Sequence, residues 1–123
     1  MKSAGGILVV DDDPDLREFL RLVLTSMGFE VTSAANGQQA LDAIERHDPD
    51  LILLDMKMPV MDGWEFCRAL EGRDARPPIV VLTAAPDPAA RAAEANADGW
   101  LGKPFEYADL EATVRRFAAP PTR

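Results

Sequence analysis

Five short apolar runs, each followed by a longer segment of helical periodicity, constrain this chain more than any other feature of its sequence. The runs are residues 7–11, Glu30–Ala34, Leu51–Asp55, Ile79–Thr83 and Gly99–Gly102. All have the four- or five-residue length of a strand rather than a helix. The clearest segment between them carries Leu16, Phe19, Leu20, Val23, Leu24 and Met27, an i, i+3, i+4, i+7 stripe over three turns. Asp13-Pro14 supplies an N-cap and a first-turn proline for that helix, and Gly28 ends it. A second helix is predicted over 38–47, with Leu41 and Ile44 inward and Pro49 closing it. A third starts after Asp62-Gly63 and buries Phe66, Cys67 and Leu70. The fourth, 87–95, is mostly alanine, and the fifth places Leu110, Val114 and Phe117 on one face before Pro120.

Strands alternating with helices predict an α/β fold with a parallel sheet. The first, third and fourth runs are continuously apolar, as strands covered on both faces must be. The second carries Glu30, Thr32 and Ser33, and the fifth carries two glycines, so these two are expected at the edges. The order 2-1-3-4-5 satisfies both conditions and is already known for open doubly wound sheets. One domain is expected over 1–123, with its core at about 6–119.

Charge then restricts the partners. Lys and Arg number 13 against 21 Asp and Glu, a net charge of −8, which disfavours a phosphate backbone or an anionic membrane surface. The apolar runs are too short to span a bilayer, and residues 1–6 lack the apolar stretch of a secretory signal. The lone Cys67 has no internal disulfide partner, and a reducing cytoplasm is the expected setting.

The decisive polar residues all fall at strand ends. Run one ends in Asp11-Asp12-Asp13, run three in Asp55, run four in Thr83, and Lys103 follows run five. In an open parallel sheet those ends share one edge, with a ligand crevice between strands one and three. Asp11, Asp12 and Asp55 therefore converge, with Thr83 and Lys103 on the far side. Two carboxylates ~4 Å apart repel by roughly 4 kcal/mol at an effective dielectric of 20. Such a cluster must bind a cation, hold a proton or pair with Lys103. A few oxygen ligands with room for water suit Mg²⁺ better than a Ca²⁺ cage. A metal beside one carboxylate, a hydroxyl and an ammonium suits phosphoryl transfer, which needs positioning and charge neutralisation. Taken singly, Asp13 reads as a helix cap, Asp11 and Asp12 as solvated loop residues, and Thr83 as a strand terminator. Asp55, after four apolar residues, is harder to place without a partner.

The segments ILVVDDDPDLREFL, PDLILLDMKMPVMDG, IVVLTA and LGKPF resemble the successive motifs of the receiver domain of two-component response regulators, the CheY-like family. The likeness covers essentially the whole chain. It implies a flavodoxin-like (βα)5 domain in which Asp55 accepts a phosphoryl group from a phosphohistidine of a partner histidine kinase or phosphotransfer protein. It further implies Mg²⁺ (or Mn²⁺) held by Asp12, Asp55 and the backbone carbonyl of Lys57, with Asp11 acting through metal-bound water. Thr83 and Lys103 would each bind a phosphoryl oxygen, and the peptide before Pro104 would be cis. Phosphorylation would draw Thr83 and Lys103 inward and turn an aromatic at position 100 toward the core. The output surface would be the fourth helix, fifth strand and fifth helix, facing a downstream protein target.

Three features depart from the family pattern. Trp100 stands where Tyr or Phe is usual, and its larger indole bears on the inward turn. Thr83 and Lys103 are 20 positions apart, roughly two fewer than the family pattern, so the loop after run four is tight and the fourth helix short. Lys57 and Ala85 flank the site, and Lys57 is expected to neutralise part of the acidic pocket when metal is absent. His47 reads as a helix-end residue and Cys67 as core, while Trp64 is a candidate contact residue. Two rival functions are a receiver-like module that works without phosphorylation and a phosphatase of the haloacid-dehalogenase type using Asp11. For the second, Asp15 occupies the position where a threonine or valine is needed.

Overall fold

The computed structural model describes residues 6–73 and 76–118. Its elements run β1 (Gly6–Val10), α1 (Pro14–Ser26), β2 (Glu30–Ala34), α2 (Gly37–Arg46), β3 (Leu51–Asp55), α3 (Gly63–Leu70), β4 (Ile79–Thr83), α4 (Pro88–Glu94), β5 (Gly99–Gly102) and α5 (Tyr107–Phe117). The strands form one parallel sheet in the order β2-β1-β3-β4-β5. The edge assignment made from polarity therefore holds.

Alternation along the strands divides the core in two. Leu8, Val10, Ile52, Leu54, Ile79 and Val81 face one side, where Ala40, Ile44, Phe66, Cys67, Leu70 and Ala92 from α2, α3 and α4 cover them. Ile7, Val9, Leu51, Leu53, Val80 and Leu82 face the other, under Leu20 and Leu24 of α1 and Leu110 and Val114 of α5. The central strands are apolar throughout because both their faces meet helices. β2, covered incompletely, keeps Glu30, Thr32 and Ser33 exposed.

Local chemistry sets the helix limits. Asp13 accepts the amides of Asp15 and Leu16 through its side chain. Gly28, at φ 98°, takes the left-handed turn that frees the chain for β2. Asp62 and Glu65 form a reciprocal capping box at the start of α3. The α1 stripe is buried less completely than its periodicity suggests. Phe19 is 47% exposed, because it lies at the margin of the stripe, beside the strand-end crevice rather than over the sheet. The second helix keeps its predicted length but begins and ends one residue earlier, with His47 serving as its C-cap, and the fourth is two residues shorter than predicted.

Candidate functional site

The carboxyl ends of β1, β3, β4 and β5 bring the sequence-predicted acids, hydroxyl and ammonium together. One oxygen from each of Asp11, Asp12 and Asp55 lies within 4.8 Å of the others. Asp11 is fully buried, and its amide is fixed to the Ala34 carbonyl at 3.1 Å. Its carboxylate accepts the Asp13 amide at 2.9 Å and the Lys103 ammonium at 2.9 Å. Asp12 is exposed. Asp55 is half-buried, and its Oδ1 lies 3.8 Å from Lys103 Nζ.

The electrostatics follow from that crowding. Burial and the neighbouring Asp11 charge push Asp55 up to about 6, with Asp12 adding to the effect; Lys103 and a hydrogen bond from the Lys57 backbone oppose it. Burial alone would lower Lys103. The Asp11 hydrogen bond and the Asp55, Asp11 and Asp12 charges outweigh it, so the ammonium is raised. This all-oxygen cluster of three converging acids, one driven toward protonation by burial and by the others, is the donor set of a hard divalent cation. The residues present fit Mg²⁺.

Thr83, at the end of β4, is buried, and its Oγ1 accepts the Ala85 amide at 3.0 Å. Its carbonyl accepts the Lys103 amide at 2.7 Å, fastening the ends of β4 and β5 together. The Lys103–Pro104 peptide is cis. A cavity of about 340 Å³ opens beside Asp55, bounded by Lys57, Thr83, Pro86, Arg91 and Lys103.

Gly63 holds the loop after β3 close to this cluster. Its amide donates to the Met56 carbonyl at 2.8 Å, and a Cβ there would stand 2.7 Å from Met56 Cα and 2.9 Å from the Asp55 carbonyl. Only glycine allows that approach. The cluster is thus locked to the fold from both sides, by β1 through Asp11 and by α3 through Gly63.

One expectation changes. The Lys57 side chain is exposed and makes no ion pair among the described residues, so the cation against the acids is Lys103. Trp100 is 50% exposed on β5. Two residues escaped the sequence reading. Arg17 donates from Nη1 to the Asp11 carbonyl at 2.8 Å, and Arg91 of α4 lines the cavity. The first sits on the polar side of an amphipathic helix. The second sits in an alanine-rich one whose pattern selects no face.

The model for the response regulator receiver domain matches residues 7–115. The DNA-binding response regulator MtrA of Mycolicibacterium smegmatis is 45% identical over 111 residues, covering 89% of this chain and 48% of that protein. The chain spans about half the length of the curated relatives it matches. Among solved structures, chemotaxis protein CheY4 of Vibrio cholerae superposes with TM-score 0.85 at 34% identity, covering 94% of this chain and 99% of that one. The receiver domain of a sensor histidine kinase from Pseudomonas aeruginosa gives TM-score 0.84 at 34% identity, with 94% and 98% covered, and has a magnesium ion coordinated in its active-site cleft.

Proposed function

The chain belongs to the response regulator receiver domain family, phosphoacceptors of two-component signalling, and from that premise we propose that Asp55 is the residue phosphorylated. The observation that carries the reading is the convergence of Asp11, Asp12 and Asp55 within 4.8 Å, beside Lys103. We assign Mg²⁺ (or Mn²⁺) to Asp12, Asp55 and the Lys57 carbonyl, with Asp11 reaching it through water. When bound, the ion neutralises the carboxylates and the incoming phosphoryl oxygens.

The chain's own residues do the rest. An Asp55 oxygen attacks the phosphorus of a phosphohistidine, forming an acyl phosphate as the P–N bond breaks and the imidazole leaves. Thr83 turns its hydroxyl from the Ala85 amide to donate to one phosphoryl oxygen. Lys103, already bonded to Asp11, pairs with another, and its raised basicity keeps it charged at neutral pH. The protein acts as a phosphoacceptor rather than as an enzyme that turns over a separate substrate.

The donor is a histidine kinase or histidine phosphotransfer protein. Its docking is supported by apolar Leu16, Phe19, Pro104 and Phe105 beside Lys103 at the mouth of the crevice. The output face is α4-β5-α5, where Trp100 and Tyr107 are each half exposed and available to a downstream protein. We place the domain in the cytoplasm, with neither nucleic acid nor membrane as its direct partner. In support, its net charge is −8, and no helix among the described residues is long and apolar enough to cross a membrane.

Phosphoramidate with Mg²⁺, followed by intact-protein mass, tests this. The expected result is one added phosphoryl group, absent without Mg²⁺ and absent in Asp55→Asn. A phosphoryl group retained in Asp55→Asn, or none in the parent protein, overturns the assignment. Multiple turnover that depends on Asp11 would indicate a phosphatase instead.

A further inference from the structure

Arg91 stands outside the residues assigned above, yet it lines the same cavity as Asp55, Thr83 and Lys103. Its guanidinium rests 5.1 Å from the centre of the Trp64 ring, and its Nε is 3.7 Å from the Glu94 carboxylate. Neither contact is a hydrogen bond. A cation over a partly exposed ring, or an ion pair at that separation, is readily exchanged for a stronger partner. Only four residues, 84–87, join β4 to α4. Pro88, the first residue of α4, would stand 3.6 Å from a methyl at Gly102. The helix is therefore held against the end of β5, and its next turn carries Arg91 along the cavity wall.

Charge supplies the reason for Arg91 to move. Three carboxylates face one ammonium in the crevice, and a divalent ion balances what remains. Phosphorylation replaces one carboxylate charge with roughly −1.5 to −2, so the balanced site becomes anionic again. The cavity is partly screened from water, where such an excess attracts the next cation within reach. Lys57 also borders the cavity, but its side chain is exposed and makes no ion pair among the described residues. Arg91 is already at the wall, and its planar fork matches two phosphoryl oxygens better than an ammonium does.

We infer that Arg91 is a second phosphoryl-binding residue, which leaves the face of Trp64 to bind phosphorylated Asp55. The Trp64–Arg91 pair is then closed before phosphorylation and open after it. Its opening uncovers one side of the indole and carries the signal toward α3, away from the α4-β5-α5 face. This inference rests on Asp55 being the acceptor, so the experiment reads the two separately.

In a Trp100→Phe background Trp64 is the one remaining tryptophan. Phosphoramidate and Mg²⁺ are added, and intact mass and Trp64 emission are followed in the same sample. The expected result is a phosphoryl mass gain together with a red shift, as the indole loses its cover. With Arg91→Ala added, the mass gain persists and the shift on phosphorylation disappears. Calorimetric affinity for beryllofluoride, a phosphoryl mimic, falls roughly threefold to tenfold, as for one lost hydrogen-bonding partner, while Mg²⁺ affinity does not fall. Arg91→Lys, keeping the charge without the fork, lies between. A mass gain with unchanged Trp64 emission overturns the inference, as does undiminished beryllofluoride affinity in Arg91→Ala. No mass gain in the Trp100→Phe protein removes the Asp55 assignment, and the role of Arg91 with it.

Discussion

Two helices border the crevice and begin with the same device, an aspartate cap followed by proline: Asp13-Pro14 for α1 and Asp87-Pro88 for α4. They differ in what they bury. α1 has 13 residues and presses Leu20 and Leu24 fully into the core, with Leu16, Val23 and Met27 beside them. α4 has seven residues, and the one it buries is Ala92. A buried leucine side chain contributes about 1.5–3 kcal/mol, a single methyl about 0.8. The half of the site built on β1, α1 and β3 is therefore firmly fixed, while the half reached from α4 is lightly held. That division suits a receiver. The acids must keep their spacing whether or not a metal is bound, whereas Thr83, Arg91 and the loop between them must respond to a group that comes and goes. Rigidity and response are assigned to opposite walls of one crevice by the number of apolar atoms each helix places in the core.

The largest effect that bears on this division comes from truncating one residue in each wall. Leu54 is fully buried next to Asp55, and Leu54→Ala is expected to cost about 2–5 kcal/mol and to weaken Mg²⁺ binding. Ala92→Gly is expected to cost about 1 kcal/mol and to leave Mg²⁺ affinity as it was. Urea unfolding and a Mg²⁺ titration on both variants measure this. Equal losses of Mg²⁺ affinity in the two would show that α4 also holds the acids, and the division would fail.

The fixed wall has an electrostatic consequence of up to about 3 kcal/mol in metal-free protein. Folding raises Asp55 from 3.8 to about 6, so between those values the folded state binds more protons than the unfolded one. Stability then declines as pH rises from about 4 to 6, and the full penalty is present above 6. Asp55→Asn removes the titrating group. Its stability gain over the parent is expected to grow across that window and level off above it. Urea midpoints for both proteins at several pH values check the sign; a flat gain would mean that Lys103 compensates Asp55 fully, and one that shrinks with rising pH that it overcompensates.

The sheet order and the strand-end residues were legible because each is set by strong, local terms. A continuously apolar strand must lie between two helical layers, and an acid ending such a strand must find a partner. Asp11, Asp55, Thr83 and Lys103 all follow from those rules. Arg91 does not. Its direction depends on a four-residue loop, on Pro88 packing against Gly102 and on a ring from another helix. Lys57 was the nearer cation in sequence, but its side chain is exposed and pairs with none of the acids, while Lys103 reaches Asp11 and Asp55 from the end of β5. Phe19 matches the α1 stripe in spacing, yet it lies at the margin of that stripe, with Leu16 and Leu20 on either side of it packed on the core. Periodicity reports which face of a helix is apolar, and not how much of that face the sheet covers.

Val60, in the loop between β3 and α3, offers the smallest and most selective test of the fixed wall. It is 80% exposed at φ 69°, in the left-handed region that a β-branched residue rarely adopts. The loop imposes this conformation. On one side Gly63 bonds back to Met56, and on the other the Met61 carbonyl accepts the Gly37 amide of α2 at 2.8 Å. Asparagine tolerates the same conformation without the branched Cβ and without the unfolded-state entropy of glycine. Val60→Asn is therefore expected to raise stability by about 1 kcal/mol, read as a higher urea midpoint with an unchanged slope. If the surrounding bonds already determine the loop, Mg²⁺ affinity will not move, because the Lys57 carbonyl keeps its place whichever residue occupies position 60. A gain in stability accompanied by weaker Mg²⁺ binding would mean that the strained valine helps to aim that carbonyl. The fixed wall would then owe part of its geometry to stored strain rather than to the buried leucines beneath it.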